Sequence, residues 1–367
     1  MSGTSLDGVD AVLAAWCADE SRPVERAFVH CPMPPALRSE LLALQSDGER
    51  ELQRGALAAN ALARLYADAL QQLLRAAGVA ARDVRALGAH GQTVRHRPGE
   101  FDGNGYTVQL LNGALLAERT GVDVVCDFRA RDIAAGGQGA PLVPAFHAQV
   151  FAGAEQPDTA VLNIGGIANL TLLPSAGPVR GFDCGPGNTL MDLWCERQGR
   201  GHYDADGRLA AAGRVHAALL QQLQSEAYFR RDPPKSTGRD LFNAIWLDAQ
   251  LAALPAPPTA LEDVMATLAE LTAATACEAL ARHAPATRRL LVCGGGAFNA
   301  HLLRRLEARA GTAVQVASTA SVGMAPDHVE ALAFAWLARA FCEKRAGNLP
   351  PVTGAAGPRL LGALYPA

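Results

Sequence analysis

Gly181-Phe182-Asp183-Cys184-Gly185-Pro186-Gly187-Asn188, with Asn163-Ile164-Gly165-Gly166-Ile167-Ala168-Asn169 shortly before it, is the stretch from which the fold is read. Each segment follows an apolar run and ends in small residues and a polar side chain. Each therefore reads as a strand tip, the two facing one cleft. The first glycine turn offers backbone donors to phosphate, because glycine lets the main chain approach an anion without a Cβ clash. The other tip carries a carboxylate suited to take a proton. A phosphate cradle beside a base equips a phosphotransferase that acts on a neutral hydroxyl or on water.

Working outward, Gly3-Thr4-Ser5-Leu6-Asp7-Gly8 packs two glycines, two hydroxyls and a carboxylate into six residues. It reads as a further phosphate loop, or as an ordinary glycine hairpin. Asp7 or Asp10 suits a hydrated Mg²⁺, which takes one or two carboxylates plus phosphate oxygens. No Gly-Lys-Ser/Thr follows, so this is not a Walker A loop. Gly294-Gly295-Gly296-Ala297-Phe298-Asn299 is a third turn, at a strand-to-helix junction where helix amides meet an anion or the backbone packs against a nucleotide. Three such turns, each beside an apolar strand, argue against coincidence.

Other polar segments stand at strand ends. His90-Gly91-Gln92-Thr93 reads as a ligand-facing loop, although a lone histidine is more often structural. Arg131, ahead of Gly136-Gly137-Gln138-Gly139, suits a substrate carboxylate as well as a salt bridge. Asp232 to Asp240 reads as an ordered substrate loop or a surface turn. Glu330 either stabilises the dipole at the start of the last helix or points into the cleft.

The rest of the chain supplies the framework. Strands are expected over 9–16, 24–32, 84–91, 106–111, 122–126, 159–163, 171–173 and 289–293. Helices are expected over 34–79 with a break at Ser46-Asp47-Gly48, then to Thr120, and over 188–198, 206–223, 261–284 and 326–346. The mixture indicates α/β architecture, and 367 residues indicate two domains. A glycine-turn hairpin near the start of each half hints at duplication. A net charge of -3 without a basic block argues against nucleic-acid binding. No apolar run reaches the roughly 18–20 residues needed to span a bilayer, and the N-terminus lacks a signal-peptide pattern. Eight scattered cysteines, with no CxxC pair, read as reduced thiols of a cytoplasmic protein.

Together these motifs resemble the anhydro-N-acetylmuramic acid kinase family, from Met1 to about Gly354. The carrying segments are Met1 to Gly8, His90 to Thr93, Asp127 to Arg129, Gly136 to Pro144, Asn163 to Thr171, Phe182 to Asp192, Pro234 to Asn243, Gly294 to Asn299 and Asp327 to Ala335. The resemblance implies a two-domain actin-like ATPase fold of duplicated ribonuclease H-like domains, with a nucleotide cleft between them. Domain I would be 1–128 plus about 340–367, and domain II 129–339. The implied reaction uses ATP to phosphorylate O6 of 1,6-anhydro-N-acetylmuramic acid while water opens the ring at C1, in murein recycling. Asp183 matches the family's base. Gly3, Thr4, Ser5, Leu6, Asp7, Gly8, Val9, Asp10, Gly165 and Gly166 would hold the phosphates, with Mg²⁺ at Asp7. Gly294, Gly295, Gly296 and Asn299 would hold the adenosine. His90, Gln92, Arg131, Asp240 and Glu330 are the sugar-contact candidates. A cytoplasmic homodimer that binds neither membrane nor nucleic acid is implied.

Two departures from the family stand out. Cys184 takes the place of the expected Thr, and no apolar strand precedes Met1. The second departure points to a start codon upstream of Met1, or to an unpaired strand edge in the first sheet. A kinase of the same fold for another sugar or an acyl acceptor is the first rival reading. A sugar sensor without activity is the second, and the retained Asp183 argues against it.

Overall fold

The computed structural model describes residues 1–3, 6–17, 22–153, 156–238, 240–258 and 260–367. Thr4 and Ser5 of the expected phosphate loop, and Arg239, lie outside the described residues. The chain forms two compact units, Met1–Val150 with His328–Ala367, and Phe151–Asp327.

In the first unit, β1 (Gly8–Ala15) pairs antiparallel with β2 (Val24–Pro32). The expected break at Ser46-Asp47-Gly48 separates helices Pro35–Ala43 and Glu51–Ala77. The longer one buries Leu62, Tyr66, Ala69, Leu70 and Leu73 at helical spacing, and Gly78 ends it at φ +66°. A second sheet runs β12 (Ala363–Tyr365), β6 (Val124–Cys126), β3 (Leu87–Gly88), with β3 parallel to β6. β4 (Gln92–Pro98) and β5 (Gly105–Leu110) form a hairpin. The expected strand over 84–91 shrinks to Leu87–Gly88. Gly88 lies so close to helix Val329–Cys342 that a Cβ would stand 2.3 Å from the Phe334 carbonyl oxygen.

The second unit holds one five-stranded sheet in the order β11 (Gln315–Ser318), β10 (Arg289–Cys293), β7 (Thr159–Ile164), β8 (Ile167–Leu173), β9 (Arg180–Pro186). β10 is parallel to β7 and β11, and β8 runs against both β7 and β9. In chain order this is 3-2-1-4-5 with only the second strand reversed, the ribonuclease H-like plan. β7 and β10 are nearly continuous apolar runs because both faces of the sheet are covered. Helix Leu261–His283 is long and apolar enough to cross a membrane, yet 83% of its most apolar window is buried inside the unit.

The helix expected over 206–223 is two helices, Arg208–Ala212 and Ala217–Gln224. The break lies at Gly213, where a Cβ would stand 2.0 Å from the Glu262 carbonyl oxygen. Beyond it the chain is tied to the long helix, with the Arg214 amide donating to Asp263 Oδ1 at 2.7 Å and the His216 amide to Thr267 Oγ1 at 2.9 Å.

In the second unit β7 lies between β8 and β10. Among the described residues of the first unit no strand lies between β1 and β3. Met1 lies beside β1: its carbonyl accepts from the Asp10 amide at 2.8 Å and its amino group donates to the Asp10 carbonyl at 2.6 Å.

Candidate active site

In the second unit, alternation along β9 decides which side chains meet the core. Phe182 and Cys184 are buried, and Asp183 between them is half-buried on the other face. Burial pushes the Cys184 thiol far up, so it stays neutral, and it donates to the Ala168 carbonyl at 3.2 Å. Asp183 Oδ2 accepts from the Thr237 amide at 3.0 Å.

The two glycine stretches interlock. The amides of Gly187 and Thr189 donate to the Gly166 carbonyl at 2.9 and 3.1 Å, and that of Asn188 to the Gly165 carbonyl at 2.8 Å. The carbonyls of the 165–166 turn are thus tied to the start of helix Thr189–Arg197. The amides of Gly165 and Gly166 donate to no main-chain acceptor among the described residues. That orientation suits an anion on the amide side.

Gly294 follows β10 at φ +78°, where a Cβ would meet Asn163 Oδ1 at 2.4 Å. Gly296 packs against Ile164 just as closely. The glycine segments after β7 and β10 and at the end of β9 therefore gather at one corner of the sheet. Those three strands run parallel to one another, and the carboxyl ends of parallel strands are where α/β sheets bind ligands. Asn299 is buried there, its Oδ1 capping helix Ala300–Ala310 through the Leu302 amide at 2.9 Å. Asp240 is exposed.

Gly187 gives a direct test of the interlock. A Cβ there would stand 2.3 Å from the Gly165 carbonyl oxygen, and backbone cannot rotate away. Gly187→Ala is expected to cost about 1–3 kcal/mol and to raise the KM for ATP. Urea unfolding and nucleotide titration would read both, and unchanged values would contradict the interlock.

In the first unit, the Gly3 carbonyl accepts from Gln92 Nε2 at 3.1 Å and from the Leu6 amide at 3.3 Å. Leu6 and Val9 are buried core residues, so only their main chain can face a ligand. Asp7 is exposed. Asp10 pairs with His30 at 2.8 Å.

His90 is buried, with both ring nitrogens engaged. Nδ1 donates to the Gly91 carbonyl at 2.8 Å, and Nε2 accepts from Arg129 Nε at 3.1 Å. This needs a neutral ring. Burial and then the Arg129 charge hold its pKa well below the ordinary 6.5. Arg129 also donates to the Gly139 carbonyl at 2.8 Å. Glu330 is half-buried at the start of helix Val329–Cys342; burial pushes its carboxyl up, countered by Arg129. Arg131 is exposed.

Its neighbour Asp132 is fully buried and accepts from the Gly139 amide at 2.8 Å, Asn348 Nδ2 at 2.7 Å and Thr353 Oγ1 at 2.8 Å. A Cβ at Gly137 would stand 2.2 Å from Asp132 Oδ2. The glycines at 137 and 139 therefore wrap a buried carboxylate. Asp132, Arg129 and Thr237 are absent from the residues expected for the site.

Acid should destabilise the first unit. Burial also holds His96 at about 4 and His147 at about 3. Unfolded histidines bind a proton near pH 6.5, whereas these three stay neutral in the fold. Below that pH the unfolded state binds more protons, so stability falls with pH until the folded pKa values are reached. The slope reaches as much as about 4 kcal/mol per pH unit. Urea unfolding at pH 7.5 and 5.5 should show the drop, and coincident midpoints would contradict it.

A profile described as anhydro-N-acetylmuramic acid kinase matches residues 1–367. Among solved structures, the activator of the 2-hydroxyisocaproyl-CoA dehydratase from Clostridium difficile with bound ADPNP aligns over 87% of this chain and 90% of its own, at 11% identity and TM-score 0.44. The anhydro-N-acetylmuramic acid kinase of Variovorax paradoxus is 57% identical, across 100% of this chain and 98% of its own length. That of Bordetella petrii is 56% identical, across 100% and 95%. The chain belongs to the anhydro-N-acetylmuramic acid kinase family.

Proposed function

We propose that this chain converts 1,6-anhydro-N-acetylmuramic acid, ATP and water to N-acetylmuramic acid 6-phosphate and ADP, in the recycling of murein. The observation that carries the chemistry is the half-buried carboxylate of Asp183 on the strand whose tip interlocks with the Gly165-Gly166 turn. In the anhydro sugar O6 is bonded to C1, so no free hydroxyl is there to accept a phosphoryl group. Asp183 takes a proton from water, and the water oxygen bonds to C1 as the C1–O6 bond breaks. This is the geometry of an inverting glycosidase. O6 leaves with the electron pair and bonds to the γ-phosphorus, and ADP departs. The proton on Asp183 returns to solvent.

Phosphoryl transfer needs mainly positioning and neutralised charge. Gly165 and Gly166 supply amides to the phosphates in this reading, the segment from Gly3 to Asp10 is given a phosphate role by the resemblance alone, and Gly294, Gly295, Gly296 and Asn299 border the adenosine. Arg131, Asp240 and Glu330 are the sugar contacts in this reading. His90 acts by accepting from Arg129, and Gln92 holds the Gly3 carbonyl while its Oε1 stays open as an acceptor for the sugar.

Among the described residues no group of three or more His, Cys, Asp or Glu side chains is gathered to hold a metal. A Mg²⁺ carried on nucleotide phosphates needs one or two carboxylates, and the exposed carboxylate of Asp7 fits that demand. When bound, the ion supplies charge neutralisation. The same reading puts the enzyme in the cytoplasm, as a homodimer.

The test is ADP release from a panel of sugars. Release with the anhydro sugar and not with glucose, N-acetylglucosamine or N-acetylmuramic acid is expected. Equal release with any of these would overturn the substrate assignment.

A further inference from the structure

Asp183 lies on β9, the outer strand of its sheet, and the open edge of that strand is braced by residues 228–237. The Asp183 amide donates to the Lys235 carbonyl at 3.2 Å, and the Tyr228 hydroxyl donates to the Asp183 carbonyl at 2.8 Å. Both main-chain groups of the residue are therefore held from outside the sheet. The brace is fastened in turn by Lys235. Its ammonium donates to the Phe229 carbonyl at 3.3 Å and the Tyr228 carbonyl at 3.4 Å, and stands 4.9 Å from the centre of the Tyr228 ring. Two residues further on, the Thr237 amide donates to Asp183 Oδ2 at 3.0 Å.

We infer that the main-chain N–H of Thr237 is a positioning group of the base, and that the segment Tyr228–Thr237 is the brace that presents it. The inference rests on the reading of Asp183 as the general base. The last torsion of an aspartate is broad, so a carboxylate is not aimed by its rotamer alone. A fixed amide on one oxygen supplies the aim. The same hydrogen bond favours the ionised form, which is the form that can take a proton from water. Replacing the Thr237 side chain leaves this group in place, because the contact is made by the backbone.

The decisive variant replaces Thr237 by its α-hydroxy acid, so that an ester oxygen stands where the N–H was. Thr237→Pro removes the same donor by ordinary mutagenesis, and Thr237→Ala keeps it. Two readouts are taken. One is the ¹³C titration of the Asp183 carboxyl, assigned by its loss in Asp183→Asn. The other is the pH dependence of kcat/KM.

Loss of a hydrogen bond to a charged group should raise the titration midpoint and the acid limb together by about one to two pH units. Thr237→Ala should leave the titration midpoint in place. A folded ester variant that titrates with the wild type would overturn the inference, and so would an equal rise in Thr237→Ala. If the wild-type chain releases no ADP from the anhydro sugar, the kinase reading falls. The carboxyl titration still decides whether the amide sets the state of Asp183, so the two failures are told apart.

Discussion

Asp183→Asn is expected to lower kcat by about 10³-fold, within the range of roughly 10²–10⁴ for loss of a general base. Ring opening and phosphoryl transfer should be lost together, because O6 becomes available only as its bond to C1 breaks. The fold should survive. An asparagine oxygen can still accept from the Thr237 amide, and the main-chain bonds to Lys235 and Tyr228 do not involve the side chain. Nucleotide binding should persist as well, since the amides of Gly165 and Gly166 are untouched. The measurement is steady-state ADP release together with thermal unfolding and ATP titration. Near-normal turnover would remove Asp183 from the mechanism. A collapsed unfolding midpoint would mean that the side chain is mainly a structural tie.

Asp132→Ala is expected to have the largest effect on stability. Its carboxylate receives three donors inside the protein, from Gly139, Asn348 and Thr353, and all three would be left without that acceptor. Leaving buried donors without an acceptor costs about 1–3 kcal/mol each, so a loss of about 3–5 kcal/mol is expected for the three together. For a unit of this size that corresponds to a fall in Tm of roughly 6–20 °C. The loss should spread to function. The segment released at Gly139 also accepts from Arg129, which in turn holds His90. A raised KM for the sugar at a temperature where the variant is still folded is the expected kinetic sign. Calorimetry showing a shift of less than about 2 °C would contradict the structural role given to Asp132.

These two residues show what a single sequence can reveal. The place of Asp183 at a strand tip was legible because its neighbours announce it. An apolar strand, a carboxylate and a run of small residues form one local pattern, and β9 adopts it. The apolar runs of β7 and β10 and the glycines that end them were legible for the same reason. Asp132 was not. Its partners Asn348 and Thr353 lie more than 200 residues away along the chain, so no window contains the network. Gly136 to Gly139 was read only as the glycine-rich segment behind Arg131, and that its glycines close around Asp132 is a tertiary fact.

Thr237 was hidden differently. It acts through its main-chain N–H, so its side chain carries no signal of the role. His90 and Gln92 were read as ligand-facing from their polar company; both His90 ring nitrogens bond within the protein, while Gln92 gives its amide to Gly3 and keeps Oε1 without a partner among the described residues. The helix break at Gly213 depends on the closeness of Glu262, which is a tertiary fact. In each case the local pattern was sound, and a distant contact decided the outcome.

The coupling of hydrolysis to phosphorylation is the central claim, and ¹⁸O-labelled water tests it most directly. The chain would be incubated with ATP, Mg²⁺ and 1,6-anhydro-N-acetylmuramic acid in labelled water, and quenched before the anomeric oxygen exchanges. Mass spectrometry would locate the label, and released ADP would be counted in the same sample. The account predicts one labelled oxygen at C1 for each ADP formed, with an unlabelled phosphate on O6. Label in free phosphate, or ADP formed without label at C1, would contradict it.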